Sequence, residues 1–133
     1  MSLKVLIIDD DEAVRFFHRI IVTQSGLCAE PLCFVNGEQA LNYLDTNFIA
    51  NDNYLLLLDI NMPVMNGWDV LDILKTKSYT SQVNVVMVTS SVDKSDHEKA
   101  KQYYPGVIDF VEKPISGEDY SRVMKFFSSL KIF

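Results

Sequence analysis

The side chains able to do chemistry stand at the ends of apolar runs. Asp9-Asp10-Asp11 directly follows Val5-Leu6-Ile7-Ile8, and Asp59 directly follows Leu55-Leu56-Leu57-Leu58. Thr89, with Ser90 and Ser91 behind it, follows Val85-Val86-Met87-Val88. Lys113 comes after Val107-Ile108-Asp109-Phe110-Val111, just before Pro114. Carboxylates brought close together repel, and a hard divalent cation neutralises them best. An acidic pair and a lone aspartate, brought together, would therefore hold a divalent cation, with a hydroxyl and an ammonium at the same edge of the sheet. Asp11 also suits the cap of a following helix, because carboxylates favour helix starts. That alternative does not serve Asp59, since a carboxylate ending a buried strand is costly without a partner.

These residues need elements that deliver them to one place. Unbroken apolar runs, unlike strict alternation, fit parallel strands covered on both faces. A weaker strand is expected over residues 29–35. Helical patterns fill the gaps. Ala13, Phe17, Ile20 and Ile21 mark one face of a helix ending near Gly26. Asn36 can cap a second helix carrying Ala40, Leu44 and Phe48, and Val70, Leu71 and Leu74 mark a third. Residues 93–104 have the least apolar content. That helix would set only Ala100 and one or both of Tyr103 and Tyr104 against the sheet, and is expected to be the loosest. The last helix, opened by Ser116 with Asp119 three residues on, carries Tyr120, Val123, Phe127 and Leu130. Strand and helix alternate five times, which predicts an α/β fold with a parallel sheet between two helical layers. In such sheets sites form beyond the carboxyl ends of the strands, where strand order reverses. If the first and third strands are neighbours there, Asp9, Asp10 and Asp59 converge.

The 133 residues are 48% apolar and 23% charged, suited to one domain with an ordinary core. A net charge of −6 argues against a direct nucleic-acid surface. No apolar stretch is long enough to span a bilayer, and no signal peptide precedes the first strand. Cys28 and Cys33 lack metal-ligand spacing and are expected as two buried thiols in a reducing cytosol. His18 and His97 have neither metal spacing nor a neighbouring nucleophile, so a packing or surface role is expected for both.

Four motifs in order resemble the receiver domain of two-component response regulators: Ile7-Ile8-Asp9-Asp10-Asp11-Glu12, Leu58-Asp59-Ile60-Asn61-Met62-Pro63-Val64-Met65-Asn66-Gly67, Val88-Thr89-Ser90 and Glu112-Lys113-Pro114. The resemblance covers essentially the whole chain, and the order of the four carries it. It implies a flavodoxin-like, doubly wound (βα)5 fold with strand order 2-1-3-4-5. Residues 1–133 would form a single receiver domain without an output domain. It implies that Asp59 accepts a phosphoryl group from a phosphohistidine of a sensor histidine kinase or histidine phosphotransfer protein. Mg2+ would be held by Asp9, Asp10, Asp59 and the backbone oxygen of Asn61. Thr89 and Lys113 would contact the phosphoryl group, Asn61 and Ser91 would flank it, and the Lys113–Pro114 bond would be cis. Gly67 would permit the turn into the third helix. Thr89 and Phe110 would form the switch. The acyl phosphate would be lost by self-hydrolysis, with no other enzymatic activity.

The implied partners are the kinase and an unnamed downstream protein, in the cytoplasm, with a possible homodimer through the face of helix four, strand five and helix five. Trp68, close after Asp59, suits either packing or a fluorescence report of the site. Three positions depart from the usual pattern. Phe110 replaces a more usual tyrosine, Ser90 a frequent alanine, and Val107 a usual alanine. A receiver cut from a longer regulator, with a DNA-binding or enzymatic output domain, stays open. A hydrolase with an aspartate nucleophile in a DxDxT pattern fits poorly, because Ala13 stands in place of the threonine. A flavin carrier of the same fold would need a Gly/Ser/Thr-rich phosphate loop after the first strand, and none is there.

Overall fold

The computed structural model describes residues 3–90 and 93–129. Five strands alternate with five α-helices: β1 (Leu3–Ile8), α1 (Glu12–Gln24), β2 (Leu32–Phe34), α2 (Gly37–Asn47), β3 (Asn53–Asp59), α3 (Gly67–Leu74), β4 (Val83–Thr89), α4 (Lys94–Tyr103), β5 (Val107–Glu112) and α5 (Gly117–Ser129). The strands form one parallel sheet in the order β2-β1-β3-β4-β5. This is the expected doubly wound α/β fold with the expected order.

The apolar runs divide their side chains between two faces, as alternation along a strand requires. Leu6, Ile8, Leu56, Leu58 and Met87 pack with α2, α3 and Ala100 of α4. Val5, Ile7, Leu55, Leu57, Val86 and Val88 pack with Val22 of α1 and with Tyr120, Val123 and Phe127 of α5. The three central strands are thus buried on both sides, which is why they read as unbroken apolar runs.

Three expectations need correction. The second strand spans only three residues rather than 29–35, and Cys28 lies ahead of it. Cys28 is half-buried and Cys33 exposed, both as free thiols, so neither is a fully buried residue. β2 is a short edge strand, with its outer side unpaired and open to water. On α1 the buried residues are His18 and Val22, while Phe16, Phe17 and Ile20 are exposed. The predicted stripe of Ala13, Phe17 and Ile20 is turned outward, and Ile21 is only half-buried. Apolar residues cover too wide an arc of α1 for their spacing alone to choose the inward side. On α4, Ala100 is buried and Tyr103 exposed, with Tyr104 buried just beyond the helix, as the low apolar content predicts. Leu130, expected on α5, and Ser91, expected beside the phosphate, lie outside the described residues.

Candidate functional site

Sheet register assembles the site. Ile8 pairs with Leu58, so one step further Asp9 stands beside Asp59. The β4 ladder continues past both neighbours: the Ile60 amide donates to the Val88 carbonyl at 3.1 Å, and the Lys113 amide to the Thr89 carbonyl at 2.7 Å. Four strand ends are thereby locked side by side. Asp9, Asp59 and Thr89 are 2%, 2% and 3% exposed, whereas Asp10 is open to solvent.

The Asp9, Asp11 and Asp59 side chains are oriented locally. The Asp9 carboxylate accepts from the Asp11 amide at 2.9 Å, and the Asp9 carbonyl accepts from the Arg15 guanidinium at 2.8 Å. Asp59 accepts from the Asn61 amide at 3.2 Å. Asp11 is the N-cap of α1, its carboxylate receiving the Ala13 and Val14 amides. The capping alternative therefore holds for Asp11 and leaves Asp9 and Asp10 to the pocket. Arg15 did not stand among the sequence candidates. Its place one turn into α1 is the signal that could have found it.

Lys113 Nζ lies 2.7 Å from Asp9 Oδ2 and 3.3 Å from Asp59 Oδ1. One ammonium thus serves two buried carboxylates. Burial alone would lower the lysine pKa, yet the hydrogen bond and charge of Asp9, with Asp59 behind, hold it above the usual value. The Asp59 carboxyl is pushed up to about 6, by burial first and by the charge of Asp9 second, against the pull of Lys113 and the Asn61 amide. A single positive charge leaves the pocket short of neutrality. Asp9, Asp10 and Asp59 each offer a carboxylate oxygen within 4.8 Å of the others, a hard-oxygen donor set suited to a divalent cation.

The remaining parts follow from backbone geometry. The Lys113–Pro114 peptide is cis, as expected. Glycine is needed at 67 for space, since its backbone lies outside the left-handed region. A Cβ there would stand 2.8 Å from the Asp59 carbonyl and 2.9 Å from Ile60 Cα. Its amide donates to the Ile60 carbonyl at 2.8 Å, fastening the start of α3 beneath the Asp59 loop. Asn66 and Asp69 form a capping box at the same point. Phe110 pairs with Met87, two residues before Thr89, so Phe110 and Thr89 share one face of neighbouring strands. The His97 ring of α4 packs against Phe110, tilted by 33°, with ring centroids 4.4 Å apart. His18 is 1% exposed, and its Nε2 has no hydrogen-bond partner among the described residues.

The fold and the pocket define a class: a doubly wound α/β domain with a carboxylate cluster and a lysine at the point where strand order reverses. The response regulator receiver domain family matches residues 5–125, and the chain belongs to that family. It is 27% identical to the chemotaxis protein CheY1 of Helicobacter pylori over 86% of this chain and 87% of that protein. It is 30% identical to the transcriptional regulatory protein CpxR of Escherichia coli over 87% of this chain, but spans only 45% of CpxR. The crystal structure of a two component response regulator from Cytophaga hutchinsonii superposes with a TM-score of 0.83 at 26% identity, covering 96% of this chain and 98% of that one. Receiver domains are signalling switches that interact with histidine kinases and downstream effectors. The acidic pocket of Asp9, Asp10 and Asp59 is typical of the family. Among the described residues, no helix is long and apolar enough to cross a membrane.

Proposed function

We propose that Asp59 accepts a phosphoryl group from a phosphohistidine presented by a sensor histidine kinase or a histidine phosphotransfer protein. An Asp59 carboxylate oxygen attacks phosphorus, the P–N bond to the imidazole breaks, and an acyl phosphate forms. Water later cleaves it, returning the carboxylate and releasing inorganic phosphate. This self-dephosphorylation is the only further chemistry assigned to the domain. Such transfers need positioning and charge neutralisation more than covalent help.

The observation that carries this reading is the Lys113 ammonium lying between Asp9 and Asp59, with the oxygens of Asp9, Asp10 and Asp59 clustered beside it. Asp9, Asp10, Asp59 and the Asn61 backbone carbonyl would hold Mg2+, which supplies positive charge against the phosphoryl oxygens. Lys113 adds a point charge on the other side. Thr89 donates its hydroxyl to the phosphoryl group, and Phe110 on the same face follows that movement. The changed surface of α4, β5 and α5 then meets a downstream protein or a second copy of the chain, in the cytoplasm.

Treatment with acetyl phosphate and Mg2+ should add the mass of one phosphate, and Asp59→Asn should lose that addition. Labelling at another residue refutes the assignment. Lys113→Ala should still accept phosphate while failing to pass the change to the partner face.

A second reading is supported by the share of CpxR that the chain covers. The domain can be the receiver of a longer regulator with a DNA-binding or enzymatic output domain. The length of the full gene separates the two readings.

A further inference from the structure

A cleft opens at the amino edge of the sheet, where β4 and β5 begin, at the opposite end of the strands from the acidic pocket. It lies between the end of α3 and the turn after α4 and encloses about 250 Å3. Buried Leu71, Leu74, Val85 and Tyr104 supply its apolar floor. Lys75 and Thr80, both exposed, stand at its mouth. Gly106 forms one wall without a side chain, and a Cβ there would already stand 3.3 Å from the Val83 carbonyl oxygen. An apolar hollow with a few polar groups at its rim is the usual form of a small-molecule site.

Charge selects the occupant. Lys75 is the only charged residue lining the cleft. Its Nζ lies 4.7 Å from the centroid of the Tyr104 ring, and among the described residues it pairs with no carboxylate. Asp72 does not line the cleft, and its carboxylate already accepts the Tyr104 hydroxyl at 2.5 Å. Bare carbonyls at a helix end repel an anion. Here the Leu71, Ile73 and Leu74 carbonyls accept from the amides of Lys75, Thr76 and Lys77. Thr80 brings a hydroxyl that can donate at the same mouth.

Volume sets the size. An apolar cavity of about 150 Å3 admits benzene. The cleft therefore has room for one ring or a branched chain with a short acidic arm, about ten non-hydrogen atoms.

We propose that this cleft binds a small apolar carboxylate. The hydrocarbon part lies among Leu71, Leu74 and Val85, and the carboxylate meets the Lys75 ammonium and the Thr80 hydroxyl. The site uses none of the residues of the acidic pocket, so it stands apart from the role of Asp59. So few buried atoms beside an exposed charge give millimolar affinity.

The test titrates the full chain with phenylacetate and with its neutral counterpart phenylacetamide. Binding is followed by backbone amide shifts in NMR and by the emission of Trp68, the single tryptophan, which packs on Tyr104 at 5.6 Å. Phenylacetate should shift the amides of Lys75, Thr80 and Gly106 saturably, in the millimolar range, and change the Trp68 emission. Phenylacetamide should bind about threefold more weakly, the scale of one exposed ion pair. Lys75→Gln should erase that preference while leaving the affinity for phenylacetamide unchanged. Gly106→Leu should abolish binding of both compounds, with the amide spectrum reporting whether the variant folds. If it does not fold, the Lys75→Gln comparison decides alone. Equal affinities for the acid and the amide in the parent chain overturn the carboxylate assignment, as does a preference that survives Lys75→Gln. Shifts confined to other residues, or none at tens of millimolar, overturn the site.

Discussion

Lys113 Nζ lies closer to Asp9, at 2.7 Å, than to Asp59, at 3.3 Å. The lysine is shared between the carboxylate proposed to accept phosphate and a carboxylate proposed to hold the cation. Phosphorylation therefore need not recruit a distant lysine, because one already bridges the two strand ends.

Removing that bridge leaves two buried carboxylates facing each other. Lys113→Ala should destabilise the cation-free domain by roughly 3 kcal/mol, the scale of a broken buried ion pair. Mg2+ should restore more stability to the variant than to the parent. Urea unfolding with and without Mg2+ measures both effects. Equal midpoints in the absence of Mg2+ would count against the bridge.

The Asp59 carboxyl titrates at about 6, through burial and then through the charge of Asp9. A raised carboxyl pKa means that the folded chain holds this proton more tightly than the unfolded chain. The cost of ionising Asp59 is thus absent below the ordinary carboxylate pKa of about 4, grows as pH rises, and is complete above about 6. In the cation-free domain the Asp59 carboxyl carbon should therefore show a titration midpoint near 6 by NMR. In Asp9→Asn the midpoint should move toward the ordinary carboxylate value. A midpoint unmoved by that substitution would contradict the coupling.

His18 is buried and its pKa is lowered to about 4, by burial and with partial opposition from Asp9. Between the ordinary histidine pKa of about 6.5 and 4, the unfolded chain gains a proton that the folded chain refuses. Stability should therefore fall as pH drops through this window. At pH 5 the effect should be roughly 2 kcal/mol, and His18→Leu should abolish it. Comparing denaturant midpoints of parent and variant at pH 7 and pH 5 gives the answer.

Val64 has φ +70° and is fully exposed in the loop after Asp59. A β-branched residue is strained in that conformation, whereas asparagine tolerates it. Val64→Asn should stabilise the domain by about 1 kcal/mol, read as a higher melting temperature with labelling of Asp59 retained.

Gly67→Ala places a methyl group 2.8 Å from the Asp59 carbonyl, where the backbone must shift. A loss of roughly 1–3 kcal/mol is expected, with weaker Mg2+ binding because the Asp59 loop moves. Calorimetric titration with Mg2+ tests the second effect separately from the first.

Much was legible in the sequence because parallel sheets write themselves plainly. Runs such as Leu55-Leu56-Leu57-Leu58 fit strands covered on both sides. A polar residue directly after such a run must emerge at the carboxyl edge of the sheet. Asp9, Asp59, Thr89 and Lys113 were therefore placed by chain order alone, as were the caps at Asn36 and Ser116. Tertiary structure decided what depends on which surfaces meet. α1 carries apolar residues around most of its girth, so only packing against the sheet could choose His18 and Val22 over Phe17 and Ile20. Likewise, sheet register set Lys113 between Asp9 and Asp59, and the approach of α4 to β5 laid His97 on Phe110. Local pattern fixes the long elements and the carboxyl ends of the core strands. Contacts between residues far apart in the chain exist only once those elements have docked.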